Sequence, residues 1–244
     1  MSTRDQKCIF ITGVSSGIGL GLAKYYLESD CTVFGLSRRT PKDLIKDPNF
    51  FHANADLHKL TKIPPILKKL LSQTDHIDLA ILNAGVLGEI RDMRQTDMKW
   101  IHEIMDVNVW SNKMILDCFV DIDITLAQVV AISSGASING SRGWNAYALS
   151  KTTLNMLMAL YAKEITDTHF CSFAPGLVDT AMQDYLCALP DSEEFPALEK
   201  LKAARGTESM PKSDEAGKLL ANAFEQIKGL PSGSFADIRN LPTG

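Results

Sequence analysis

The sequence predicts an α/β fold: a doubly wound parallel sheet of about seven strands with helices on both faces. Two observations carry that prediction. Strand-like and helix-like signals alternate along the chain, with no internal repeat and no low-complexity linker. The first strand signal runs directly into a glycine-rich turn and then a helical pattern, as in a nucleotide-binding Rossmann-type unit. The chain of 244 residues suits one domain spanning 1–244, and a 45% hydrophobic content is enough for a large core.

The elements follow in order. Residues 8–12 are a short isoleucine-rich run and read as a buried parallel strand. A helix is expected over 17–28, a second strand over 32–36 and a third over 50–53. The helix expected over 62–73 carries Pro64-Pro65 in its first turn, where missing N–H groups do little harm. Strand 78–82, a long helix over 97–119 and an apolar strand over 127–133 come next. Then follow helix 145–165, strand 169–173, helix 213–227 and a short last strand at 233–236. Residues 180–212 break the alternation. They mix Met182, Tyr185, Leu186, Leu189, Phe195 and Leu198 with Asp184, Asp191, Glu193 and Glu194. Such a long excursion reads as a substrate loop or lid, the alternative being a helical segment packed on the core.

Two constellations can do chemistry. Gly13, Gly17 and Gly19, with Ser15, Ser16 and Ile18 between them, sit at the first strand–helix junction. Glycines there allow close backbone approach to a pyrophosphate, and the helix N-terminus offers free N–H groups and a positive dipole end. The second strand is followed by Arg38 and Arg39, where an NAD site would hold an acid. A guanidinium can grip a 2′-phosphate with paired hydrogen bonds, so the expected cofactor is NADP(H). The other constellation is Tyr147 and Lys151, four apart and hence on one helix face, with Ser134 thirteen residues earlier at a strand end. A lysine cation there is expected to lower the tyrosine pKa toward the working pH. The tyrosine could then exchange a proton with a carbonyl oxygen or alcohol, and the Ser134 hydroxyl could hold that oxygen. Trp144 and Asn145 just before the tyrosine read as pocket lining for a flat or aromatic substrate.

Together these residues resemble the classical short-chain dehydrogenase/reductase family. The matching segments are Thr12-Gly-Val-Ser-Ser-Gly-Ile-Gly19, Asp56-Leu57, Leu82-Asn-Ala-Gly85, Asn108, Ile132-Ser-Ser134, Tyr147-x-x-x-Lys151 and Pro175-Gly-Leu-Val-Asp-Thr180. The resemblance implies that Asp56 accepts a hydrogen bond from the adenine amine, with Leu57 beside the ring. Asn83, Ala84 and Gly85 would close a strand end against the cofactor. Asn108 would kink its helix and hold a water in a proton relay behind Lys151, which would also bond the nicotinamide ribose. Pro175, Gly176 and Val178 would line the nicotinamide site, and Thr180 would anchor the carboxamide.

The distal half is similar to the subgroup of sepiapterin reductases and bacterial benzil reductases, through Arg142-Gly-Trp-Asn-Ala-Tyr147 and Ser232-Gly-Ser-Phe-Ala-Asp237 among others. That likeness implies an NADPH-dependent reductase of small vicinal dicarbonyls or α-hydroxy ketones. It also implies that Asp237 anchors substrate, beside Ser134, Trp144 and Tyr147. The rival readings are a 3-oxoacyl-thioester reductase and a non-catalytic NADP(H) sensor.

The bulk properties exclude other classes. A net charge of −4 without a basic face argues against nucleic acid. Five cysteines (8, 31, 118, 171, 187) make no Cys-x-x-Cys pair and read as reduced core residues. Five histidines show no ligand spacing, so no metal is expected. The polar start up to Lys7 and the lack of a membrane-length apolar run predict a cytoplasmic protein without membrane contact. The family's long helices commonly build homodimers or homotetramers. Met156, Met158, Leu160 and Tyr161 could serve such an interface or the core.

Overall fold

The computed structural model describes residues 6–242. Seven strands form one sheet: β1 (Cys8–Thr12), β2 (Thr32–Ser37), β3 (Phe50–Asn54), β4 (His76–Leu82), β5 (Thr125–Ile132), β6 (His169–Ala174) and β7 (Ser234–Asp237). Their spatial order is β3-β2-β1-β4-β5-β6-β7, and every pairing is parallel. The chain steps outward from β1 to β3, then crosses back to lay β4 on the other side of β1. That reversal opens a crevice at the carboxyl ends of β1 and β4, the place where open α/β sheets bind ligands.

Helices cover both faces because the strands are apolar on both. One face carries α2 (Ile63–Leu70), α4 (Ser111–Asp121) and α5 (Asn145–Glu164), packed through residues such as Leu67, Phe119 and Met158. The other carries α1 (Gly17–Glu28) and α8 (Ser213–Gln226), packed through Leu22, Leu220 and Phe224. Edge-to-face ring pairs fix strand to helix on each side: Phe10 with Phe119 at 5.1 Å and Phe173 with Phe224 at 5.3 Å. Truncating any of these four buried rings to alanine would cost about 3–5 kcal/mol. Helices α1 and α8 touch backbone to backbone. A Cβ on Gly21 would lie 2.0 Å from the Ser213 carbonyl oxygen, and one on Gly217 would lie 2.4 Å from that of Gly21.

Most element boundaries fall within two residues of expectation. Helix α2 ends three residues early, at Leu70. The helix expected over 97–119 is broken into α3 (Met98–Met105), a π-helical turn (Asp106–Trp110) and α4. The extra residue turns Asn108 inward, where it is fully buried, and single π-turns of this kind mark functional positions. The excursion at 180–212 is ordered as α6 (Ala181–Cys187) and α7 (Pro196–Ala204). They close a small core of their own with Leu87, Leu186, Leu198, Leu201 and Met210, against which Trp144 and Tyr147 pack.

The ambiguous α5 residues separate cleanly. Met158 and Tyr161 are core, whereas Met156 and Leu160 are 61% and 53% exposed. The five cysteines are free, as expected for reduced core residues, with Cys187 the least buried. Among the described residues no helix is long and apolar enough to cross a membrane.

Candidate active site

One cavity of about 1720 Å³ runs along the carboxyl ends of β1, β2, β4, β5 and β6. A single small ligand needs roughly 300–1,000 Å³, so there is room for a dinucleotide and a substrate together.

The nucleotide end is built by the β1–α1 turn. Gly13, Ser15, Ser16, Gly17 and Ile18 line it, with free N–H groups of α1 behind them. Gly19 does not line the cavity. It lets α1 start against β1, since a Cβ there would sit 2.5 Å from the Gly13 carbonyl oxygen. The turn is braced from β4: the Thr12 hydroxyl accepts the amides of Asn83 (2.9 Å) and Ala84 (3.0 Å), and Asn83 Nδ2 donates to the Thr12 carbonyl (2.8 Å). Ala84 and Gly85 continue the wall.

Arg38 and Arg39 stand exposed at the end of β2, also on the cavity. Their backbone is pinned by Asn54 Nδ2 to the Arg38 carbonyl (3.1 Å) and by Ser37 Oγ to that of Arg39 (2.7 Å). Among the described residues neither guanidinium has a carboxylate partner. Asp56, whose Oδ1 accepts the amide of His58 (3.2 Å), and Leu57 flank them. Pro175, Gly176, Val178 and Thr180 close the opposite wall, with the Thr180 methyl 3.2 Å from where a Gly17 Cβ would be. A glycine-rich cradle, open amides and two unpaired cations fit a dinucleotide carrying an extra phosphate.

The catalytic end centres on α5. Lys151 is buried and Tyr147 half-buried, and both reach the cavity, with Lys151 Nζ 5.6 Å from the Tyr147 ring centre. Ser134 lies beside Tyr147, close enough for its hydroxyl to favour the phenolate, and its Oγ accepts the Ala136 amide (3.1 Å). Lys151 Nζ donates to the Ile132 carbonyl at 2.7 Å. Asn108 lies behind, off the cavity wall. Its Oδ1 accepts the Val86 amide (2.8 Å), and its Nδ2 donates to the Val86 carbonyl (2.9 Å) and to Ser150 Oγ (2.9 Å). Ser150 in turn donates to the Tyr147 carbonyl (2.7 Å). Gly85 leaves the space between Asn108 Oδ1 and Lys151 Nζ open, since a Cβ there would lie 3.2 and 3.4 Å from them. Ser150 was not expected from the sequence, although it precedes Lys151 directly.

The expected lowering of the Tyr147 pKa is reversed. Burial raises it, and the Ser134 hydroxyl offsets this only in part. Desolvation instead falls on the lysine, bringing Lys151 down to about 8.

Two further expectations need correction. Asn145 does not line the main cavity. Its Nδ2 donates to the Arg91 carbonyl and to Thr96 Oγ1 (2.8 Å), tying the start of α5 to the 91–96 segment. Asp237 does not line it either: it is 4% exposed and paired with Arg239, which takes the place on the wall expected for it. Trp144, by contrast, does line the cavity, with its ring 6.1 Å from that of Tyr147. The histidines hold one grouping that spacing hid. Cys8, His76 and Asp78 meet at the opposite end of the sheet, where Asp78 accepts the Cys8 amide (2.7 Å) and His76 meets Asp75 (3.0 Å).

A dinucleotide cradle continuous with a serine–tyrosine–lysine wall defines a nicotinamide-dependent oxidoreductase acting on small molecules. The chain belongs to the short chain dehydrogenase family, whose model matches residues 7–188. It is 31% identical over 189 residues to an oxidoreductase of Schizosaccharomyces pombe, covering 75% of each chain. It is 29% identical over 243 residues to a Saccharomyces cerevisiae protein named benzil reductase ((S)-benzoin forming) IRC24, covering 92% of each. In fold it matches the YIR035C short chain dehydrogenase/reductase of S. cerevisiae with a TM-score of 0.82 at 24% identity, covering 97% of both chains.

Proposed function

We propose that this protein is an NADPH-dependent carbonyl reductase acting on small vicinal dicarbonyls or α-hydroxy ketones. The observation that carries the reading is that Ser134, Tyr147 and Lys151 face the same cavity as the glycine turn and the unpaired Arg38 and Arg39. The likeness to a protein named benzil reductase supports the substrate class.

Bound nicotinamide supplies the hydride. The protein's own residues hold and protonate the oxygen. Ser134 and Tyr147 grip the carbonyl oxygen as negative charge develops on it. Tyr147 donates its proton there. A phenol raised by burial is protonated at neutral pH and still far more acidic than the alcohol it forms, so it suits the direction of reduction. Lys151, fixed by the Ile132 carbonyl, resupplies the proton through a water held by Asn108, itself fixed by Val86 and Ser150. Arg38 and Arg39 hold the 2′-phosphate, and Asp56 the adenine. The exposed Met156 and Leu160 on α5 belong to a homodimer or homotetramer interface.

The test is NADPH oxidation by the pure protein against benzil and 1-phenyl-1,2-propanedione, repeated with Tyr147→Phe. The expected loss of turnover is about 10²–10⁴-fold with NADPH binding retained. Near wild-type turnover in the variant would remove Tyr147 from the role of acid.

A further inference from the structure

At the end of the cavity remote from Arg38, β7 runs into a single helical turn, Ile238–Asn240. Asp237 caps that turn by accepting the Arg239 amide at 3.0 Å. The same carboxylate takes Arg239 Nε at 2.8 Å and Nη2 at 2.5 Å, a fork-to-fork pair that fixes the plane of the guanidinium. The two ends of the pair differ sharply: the Asp237 side chain is 3% exposed and that of Arg239 is 68% exposed, on the cavity wall. Each partner strengthens the charge of the other, holding the aspartate below the usual carboxylate range.

A guanidinium has five N–H donors. Two go to Asp237, and among the described residues Arg239 has no other ion-pair partner. Both Nη1 donors and one on Nη2 are left over, on a side chain that lines the cavity. A Cβ on Gly135 would lie 3.1 Å from Arg239 Nη2, and Gly135 follows Ser134 directly.

We propose that Arg239, positioned by Asp237, is a substrate subsite that binds a second oxygen next to the reacting carbonyl, and so selects neutral vicinal dicarbonyls. The inference rests on the carbonyl-reductase reading and deepens it. Neutral substrates are favoured because Asp237 already balances the guanidinium charge, which leaves a directed donor rather than a net cation.

A matched pair of probes tests this: 1-phenyl-1,2-propanedione and 1-phenyl-1-propanone, which share one skeleton and differ by the second oxygen. The readout is the ratio of kcat/KM for dione over monoketone, compared between wild type and variants so that the dione's greater intrinsic reactivity cancels. Arg239→Met should lower the ratio by about 10–100-fold, the worth of a hydrogen bond from a charged donor. Because that variant leaves Asp237 buried and unpaired, Asp237→Asn combined with Arg239→Gln provides a second. It keeps a neutral hydrogen-bonded pair and should also lower the ratio, with NADPH affinity as the control for folding. An unchanged ratio in both variants, with the dione still reduced, would overturn the subsite and leave the reductase reading intact. Failure of the wild type to reduce either probe would overturn that reading and this inference with it.

Discussion

The two ends of the cavity are built on different plans. At the nucleotide end the chain leaves little to side-chain choice. Backbone amides, a braced Thr12 and glycines packed against neighbouring backbone set the shape, and a single added Cβ at Gly19 would strike the Gly13 carbonyl at 2.5 Å. At the substrate end the walls are side chains carried by α6, α7 and the turn after β7, held by surface ion pairs and a small separate core. The first end binds one invariant shape, a pyrophosphate, and backbone geometry suffices for it. The second must discriminate among carbonyl compounds, and only side chains can do so.

The sharpest way to break this contrast is at the point where the nucleotide end presents cationic side chains. Arg38→Ser with Arg39→Ser removes two exposed cations from otherwise intact backbone. The NADPH Kd should rise about 100-fold, since each guanidinium–phosphate contact is a charge-assisted pair, while the NADH Kd changes far less. Fluorescence titration with both cofactors measures it. Equal loss for NADH would mean that the arginines shape the turn rather than read the phosphate.

The same contrast explains what was legible in the sequence. Fixed backbone geometry demands particular residues at fixed spacing, so the turn from Gly13 to Gly19 and Tyr147-x-x-x-Lys151 could be read directly, and Asn83–Gly85 through the family resemblance. The parallel sheet with helices on both faces followed from the alternation of strand and helix. Side-chain-built features could not be read that way. The pairing of Asp237 with Arg239 depends on how a turn folds after the last strand. The π-turn at Asn108 depends on partners at Val86 and Ser150, far off in sequence. The raised Tyr147 pKa depends on burial beneath α6 and α7, which no local pattern encodes. Cys8, His76 and Asp78 meet only because β1 and β4 are neighbours.

Lys151 sits between the two ends and gives a pH-dependent test. Its pKa is down to about 8 in the folded protein, against about 10.4 for an unperturbed lysine. If the charged form resupplies the proton, kcat/KM for reduction should be flat below pH 8 and fall about tenfold per unit well above it. The linkage has the opposite sense. Between pH 8 and about 10.4 the unfolded chain holds a proton on this lysine that the folded chain has lost, so stability rises with pH across that window. Wild type should therefore gain stability relative to Lys151→Met in urea melts as pH is raised from 8 to 10. A parallel pH dependence of the two proteins would show that the lysine is not desolvated as the fold requires.

The smallest effect is expected where the substrate end is fastened from outside. Arg142 donates through Nε and Nη2 to Asp92 at 2.6 and 2.7 Å, approaches Glu194 at 3.5 Å, and lies 5.6 Å from the Phe195 ring centre. It thereby joins the segment before α3 to the residues that open α7. All of these charges are solvent-facing, so the pairs are worth little to global stability. Their effect is expected to be local, on how α6 and α7 pack against Trp144 and Tyr147. Arg142→Met should raise the KM for a dicarbonyl severalfold, shift Tm by no more than a degree or two, and leave NADPH affinity as it was. Raising the salt concentration with wild type should move KM in the same direction, because exposed pairs are screened. If KM is unmoved by both, α6 and α7 are held by their apolar contacts alone, and the substrate end is more rigid than its side-chain construction suggests.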